Sequence, residues 1–228
     1  MKRSEINSLI EDSIEFMNRM NFFLPKWGYW KPEDWKGKAV DEIIDTMLGW
    51  DITDFGRGKF KERGLILFTL RNGNIKKTKK VNKIYGEKVL IVGENQETPF
   101  HFHWSKMEDI INRGGGDLVI ELYNSDDRED FSDKPVTVMI DSIPRKVSPG
   151  GKVVLTPGES ICLEPYVYHR FYAENGRVLA GEVSSVNDDT VDNRFHEPLG
   201  RFPEITEDTA PSHLLVIDYE KHLMHNAS

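Results

Sequence analysis

From residue 64 onward the chain is cut by closely spaced glycine turns into short runs of β-branched and aromatic residues, and this punctuation limits its folding more than any other feature. The runs cover residues 64–70, 88–92, 118–123, 136–140, 152–155, 160–164, 168–172 and 177–183. Between them stand Asn72-Gly73, Gly114-Gly115-Gly116, Pro149-Gly150-Gly151, Pro157-Gly158 and Asn175-Gly176. Four to eight residues rich in Val, Ile, Leu and Tyr, bounded by turn dipeptides, read as strands, and helices of ordinary length do not fit between such stops. The expected fold is mainly β, a sandwich or a barrel.

The two ends read differently. Ile6, Leu9, Ile10, Ile14 and Met17 recur at helical spacing behind Ser4, a candidate N-cap, and Pro25 closes the pattern. Trp27, Trp30 and Trp35 follow without periodicity, and residues 41–48 suggest a second short helix. Flat indole faces can stack on sugars, but anchoring a segment against a sheet or a partner is their commoner use. After the last run comes a charged loop with Asn187, Asp188, Asp189, Asp192, Asn193 and Arg194; order returns over residues 213–219. At 228 residues the expectation is one domain, 1–228: a helical, tryptophan-rich extension (1–60), a β core (64–185) and a C-terminal loop and tail (186–228). A net charge of -8 and no basic stripe exclude a nucleic-acid binder; Lys77, Lys79 and Lys80 are diluted by neighbouring acids. No apolar stretch approaches the roughly 20 residues that span a bilayer, and the N-terminus has no hydrophobic signal core. The single cysteine, Cys162, fits a reducing compartment, so a cytosolic location is expected.

Within the strand pattern, His101 and His103 flank Phe102. Alternate residues of a strand share a face, so the two imidazoles converge while Phe102 enters the opposite layer. Imidazole nitrogen joined by a carboxylate makes a mixed donor set suited to manganese, iron, nickel or zinc. Glu108 has the wrong parity to join the histidines on one straight strand, so the chain must bend between them. A competing reading makes Ser105 and Glu108 a capping box that starts a short helix ended by Gly114.

Gly93, seven residues, His101-x-His103, four residues, Glu108, six residues and Gly115 resemble the first cupin motif. Pro157-Gly158 through Pro165 to His169 resemble the second, departing from it in the turn before the histidine. The resemblance implies a jelly-roll barrel with His101, His103, Glu108 and His169 as metal ligands. Residues 98–116, reading TPFHFHWSKMEDIINRGGG, are similar to the signature of the D-lyxose ketol-isomerases, and the likeness extends over essentially the whole chain. That family implies a manganese-dependent homodimer, other divalent transition metals being possible, which interconverts D-lyxose with D-xylulose and D-mannose with D-fructose.

Isomerisation moves hydrogen between C1 and C2 while charge builds on two adjacent oxygens. A Lewis acid stabilises that charge, and a carboxylate near both carbons carries the proton through a cis-enediol. Glu204 or Glu182 is the expected base, with Lys88 and Lys106 assisting at the sugar oxygens, Glu108 among the groups around the substrate, and Arg194 clamping a hydroxyl or closing the loop. Tyr166, Tyr168 and Phe171 are expected to form the wall near His169. Two alternatives remain: a cupin dioxygenase, whose lining would be apolar, and a non-catalytic sugar-binding cupin, whose ligands would be degenerate.

Overall fold

The computed structural model describes residues 1–74, 83–186, 188, 191–200 and 202–224, so Lys77, Lys79, Lys80 and Asp189 lie outside the described residues. Its elements in chain order are α1 (Arg3–Arg19), α2 (Asp41–Asp45), β1 (Gly49–Thr53), β2 (Leu65–Arg71), β3 (Tyr85–Val92), β4 (Thr98–Phe102), β5 (Glu108–Asn124), β6 (Val136–Ile140), β7 (Ile143–Val147), β8 (Gly151–Leu155), β9 (Ser160–Leu163), β10 (Val167–Ser185) and β11 (Arg194–Phe195). The strands join in the order β1-β2-β3-β10-β5-β9-β6-β7, with β8 beside β5 and β4 between β10 and β11. Every pairing between these strands is antiparallel. This is the mainly β, jelly-roll architecture expected. No helix among the described residues is long and apolar enough to cross a membrane.

Two strands are much longer than the sequence pattern suggests. β5 runs on through Gly114, Gly115 and Gly116, and β10 runs on through Asn175 and Gly176, because the turn signals mark bulges inside paired strands. Register shifts fall between Glu174 and Val178 and between Leu179 and Ala180. The glycines are needed because the strands nearly touch: a Cβ on Gly115, at φ +100°, would lie 2.0 Å from the Arg177 carbonyl oxygen. Asn112 stitches the bend, its amide donating to the Gly116 and Leu155 carbonyls and its side-chain oxygen accepting from the Gly114 amide. Each long strand thereby serves two pairings, β5 with β9 and then β8, β10 with β4 and then β3, and the sheet closes around one interior.

Residues of β2 and β3 are apolar on both faces because both faces are covered. Leu65, Leu67, Leu90 and Val92 enter the barrel interior, whereas Ile66, Phe68, Val89 and Ile91 meet Ile6, Ile10, Phe16 and Met17 of α1 on the outside. Burial of each such side chain contributes roughly 1.5–3 kcal/mol. The second helix stops at Asp45, short of residue 48, and Leu48 turns inward instead. The tryptophans are anchors: Trp27 packs on Phe68, and Trp35 packs between Trp30 and Tyr219. The tail orders as a 3-10 turn at Val216–Asp218 behind buried Leu214 and Leu215. Cys162 sits half-buried in β9, where burial and the Asp109 carboxylate push its thiol up to about 11, the reverse of an activated nucleophile.

Candidate metal centre and active site

His101 and His169 are direct cross-strand partners of β4 and β10, and both face the interior. The chain leaves the ladder after Phe102, crosses residues 103–107 without regular structure and re-enters at Glu108, the first residue of β5. That crossing is the bend Glu108 requires, and no helix forms there. Ser105 cannot cap one, since its amide and hydroxyl both bond to the Asp192 carboxylate, at 3.0 Å each. The ligand atoms of His101, His103 and His169 lie within 4.8 Å of one another, and all three residues are buried.

The ring tautomers follow from their partners. Nδ1 of His101, His103 and His169 lies 2.9, 2.7 and 3.0 Å from the backbone carbonyls of Pro99, Asp192 and Val167. A carbonyl only accepts, so each Nδ1 carries the hydrogen and each Nε2 presents a lone pair. Burial, together with the neighbouring His169 and His103, lowers the His101 pKa well below its usual value and keeps that ring neutral. Nε2 of His103 and of His169 lies 3.4 and 3.1 Å from Oε1 of Glu108, yet neither nitrogen has a hydrogen-bond partner among the described residues. Lone pairs at that separation repel unless positive charge sits among them, and a buried orphan polar atom costs about 1–3 kcal/mol. The donor set therefore fits a divalent cation. Burial works to raise the Glu108 pKa, but the Lys106 ammonium outweighs it, holding the carboxyl well below the usual range.

A second polar row adjoins the first. Lys88 on β3 and Glu182 on β10 are cross-strand partners, and their side chains meet inside the barrel at 3.0 Å. Lys106 reaches the same Glu182 Oε1 at 3.1 Å and Glu108 Oε2 at 2.5 Å, linking the two carboxylates. These residues and the histidines line one cavity. The rest of its wall is mostly apolar, with Phe55, Leu65, Leu67, Leu90, Ile110, Phe171 and Phe195, and includes the polar Thr53, Thr98 and Asn193.

Two expected residues stand elsewhere. Glu204 is exposed, and its backbone carbonyl accepts a 2.6 Å bond from the Met1 amino group; it does not reach the cavity. The tail runs along the outside of the barrel beside the N-terminus, which the loop's composition does not reveal. Arg194 lies on β11, but strand alternation turns Phe195 into the cavity and Arg194 away from it, where its Nε donates to Glu129 at 3.0 Å. Of the three aromatics near His169, only Phe171 lines the cavity. Tyr168 packs behind it against Phe102 with its hydroxyl on the Glu129 carbonyl, and Tyr166 is half exposed. Thr53, Thr98 and Phe195 line the cavity without having been singled out in the sequence, and Asn193, named only as part of the charged loop, lines it too. Asp192 stood out only as part of a charged loop, yet its carboxylate also accepts from the Lys106 amide at 3.0 Å, and its carbonyl from His103.

Residues 1–219 match the family model described as D-lyxose isomerase. The chain is 47% identical over 226 residues to the D-lyxose/D-mannose isomerase of Escherichia coli O157:H7, covering 97% of this chain and 99% of that protein. It is 46% identical over 224 residues to the enzyme of the same name from Serratia proteamaculans, covering 96% and 98%. Among solved structures, the Cellulomonas parahominis L-ribose isomerase superposes with a TM-score of 0.59 at 12% identity, over 90% of this chain and 98% of that one. The Geodermatophilus obscurus L-ribose isomerase gives 0.58 at 12% identity, over 90% and 98%. These two likenesses concern the fold; the match along the sequence places this chain in the D-lyxose isomerase family.

Proposed function

We propose that this chain is an aldose–ketose isomerase that interconverts D-lyxose with D-xylulose and D-mannose with D-fructose. Relatives at 47% and 46% identity that carry the name D-lyxose/D-mannose isomerase support the reading. The observation that carries it is the Lys88–Glu182–Lys106–Glu108 row beside three converging imidazoles in one cavity. An oxygenase acting on an apolar substrate has no use for two buried lysines held by carboxylates.

His101, His103, His169 and Glu108 would hold a divalent cation, manganese in this reading, and when bound it would supply Lewis acidity to two adjacent sugar oxygens. Glu182 takes the proton from C2 of the open-chain aldose and returns it to C1, passing through a cis-enediol. Lys106 stands between the two carboxylates and moves the hydroxyl proton from O2 to O1 through its Nζ. Lys88, opposite Glu182 on the neighbouring strand, holds that carboxylate in place. Phe55, Phe171 and Phe195 exclude water from the enediol.

The test is ketose formation from D-lyxose and D-mannose by the purified protein, after EDTA treatment and after manganese is restored. Activity that disappears with the chelator and returns with the metal supports the proposal. Metal-dependent oxygen uptake without ketose overturns it. The same reading carries a homodimer in the cytosol; sedimentation of the purified protein checks the oligomer.

A further inference from the structure

Thr98 reaches the cavity through an irregularity in its own strand. His101 pairs with His169 and Thr98 pairs with Phe171, so three residue steps on β4 oppose two on β10. On a regular strand Thr98 and His101 have opposite parity and face opposite layers. The extra residue reverses that parity, and both pairs then point inward, as His101, His169, Thr98 and Phe171 all line the one cavity. Bulges of this kind recur beside active sites, where they re-aim a side chain.

What the bulge delivers is a hydroxyl with nothing to bond. Thr98 is 3% exposed, and its Oγ1 is buried without a hydrogen-bond partner among the described residues. Its cross-strand partner Phe171 has no polar side-chain atom to offer. Thr53, the other hydroxyl in the lining, already accepts the Phe55 amide at 2.9 Å. A buried orphan hydroxyl is a cost to the free protein. A valine of the same shape would avoid it, so the hydroxyl is useful only once something polar enters.

We propose that Thr98 Oγ1 determines substrate specificity by bonding one hydroxyl of the sugar beyond C2. The inference rests on the isomerase reading for the identity of the ligand. The Thr98–Phe171 pair lies two residues along β10 from the His101–His169 pair, a displacement of about 6.6 Å at strand rise. A sugar whose reacting carbons lie at the histidines extends a distal hydroxyl over that span, and the unpaired Thr98 hydroxyl is available to meet it. A hydroxyl both donates and accepts, so it can meet a sugar hydroxyl in either sense.

The experiment compares Thr98→Val and Thr98→Ser with the parent protein, loaded with manganese, on three readouts. The first is stability of the unliganded protein; the second is calorimetric binding of D-arabinitol, the open-chain polyol of D-lyxose; the third is steady-state kinetics on D-lyxose and its monodeoxy analogues. Thr98→Val is expected to be at least as stable as the parent while its polyol affinity falls about fivefold or more, the size of one net hydrogen bond. KM rises in parallel with kcat little changed. One deoxy position stops mattering in Thr98→Val, and Thr98→Ser behaves as the parent. Unchanged affinity and an unchanged deoxy pattern overturn the proposal, as does a Thr98→Val protein that is destabilised and binds normally per folded molecule. If the parent binds the polyol through Thr98 but converts no aldose, the contact stands and the isomerase reading fails. If it neither binds nor converts, both fall.

Discussion

Glu108 and Glu182 are both buried carboxylates facing one cavity, yet their neighbours give them different work. Glu108 places one oxygen against two imidazole nitrogens and the other against Lys106, which suits it to the donor set of a cation. Glu182 meets only lysines among the ion pairs it makes there, beyond the histidines. The two neutral amide substitutions therefore separate. Glu182→Gln is expected to lower kcat by about 10²–10⁴-fold, the usual contribution of a general base, while metal content by atomic emission stays at the parent level. Glu108→Gln is expected to lose the metal itself, and activity with it, because a neutral amide cannot offset the charge of the ion. A Glu182→Gln protein with full activity would remove Glu182 from the mechanism. His101, His103 and Glu108 were legible from spacing and strand parity; His169 was named through the resemblance to the second cupin motif, and Lys88, Lys106 and Glu182 from their places beside the first motif and on the last strand. Thr98 was not, because a bulge reverses parity without changing a letter.

At the level of elements, the segment from His103 to Met107 is held by a residue far away in the chain. Asp192 ties down the Ser105 amide and hydroxyl and the Lys106 amide, and its own carbonyl fixes the His103 tautomer. Partners that orient a ligand commonly matter tenfold to a hundredfold for metal affinity. Asp192→Ala is accordingly expected to weaken metal binding by about 10–100-fold in a chelator competition titration, with the fold intact by circular dichroism. Affinity equal to the parent would mean that the crossing segment holds its shape unaided. The sequence foretold the bend, because Glu108 could not otherwise join the histidines. It pointed instead to a capping box at Ser105 as the rival, since nothing local shows that Asp192 will occupy the same amide.

Over the whole molecule, the chain's ends are clasped together outside the barrel. Arg3 is 1% exposed and makes paired bonds to Asp218, at 2.9 and 2.8 Å, and to Glu207, at 2.8 Å each. Arg3→Met leaves Asp218 buried and uncompensated, and is expected to cost about 3 kcal/mol, the low end for breaking a buried pair because the Leu215 amide still bonds Asp218. For a chain of this size that is a fall of about 6–12 °C in Tm by calorimetry, with activity per folded molecule unchanged. The C-terminal tail is sensitive to acid through His213, which burial, and then Lys31, depress to about 4. Since the unfolded chain protonates this group near 6.5, its contribution to stability is complete above about pH 6.5 and is lost as pH falls toward 4, up to about 3 kcal/mol. Denaturation midpoints should slope over that window in the parent and flatten in His213→Gln; equal slopes would acquit His213. The sequence by itself determined the β architecture, the helical leader and the His101-x-His103 pair with Glu108, because turn signals, periodicity and ligand spacing act over a few neighbouring positions, while His169 was reached only through the likeness to the second cupin motif. Only the tertiary structure decided that Gly114–Gly116 and Asn175-Gly176 bend strands without ending them, that Glu204 and Arg194 turn away from the cavity, that Thr98 lines it, and that Asp192 holds the segment from His103 to Lys106. Those outcomes depend on register and on contacts between distant segments, and a shift of one residue in register moves a side chain to the opposite face.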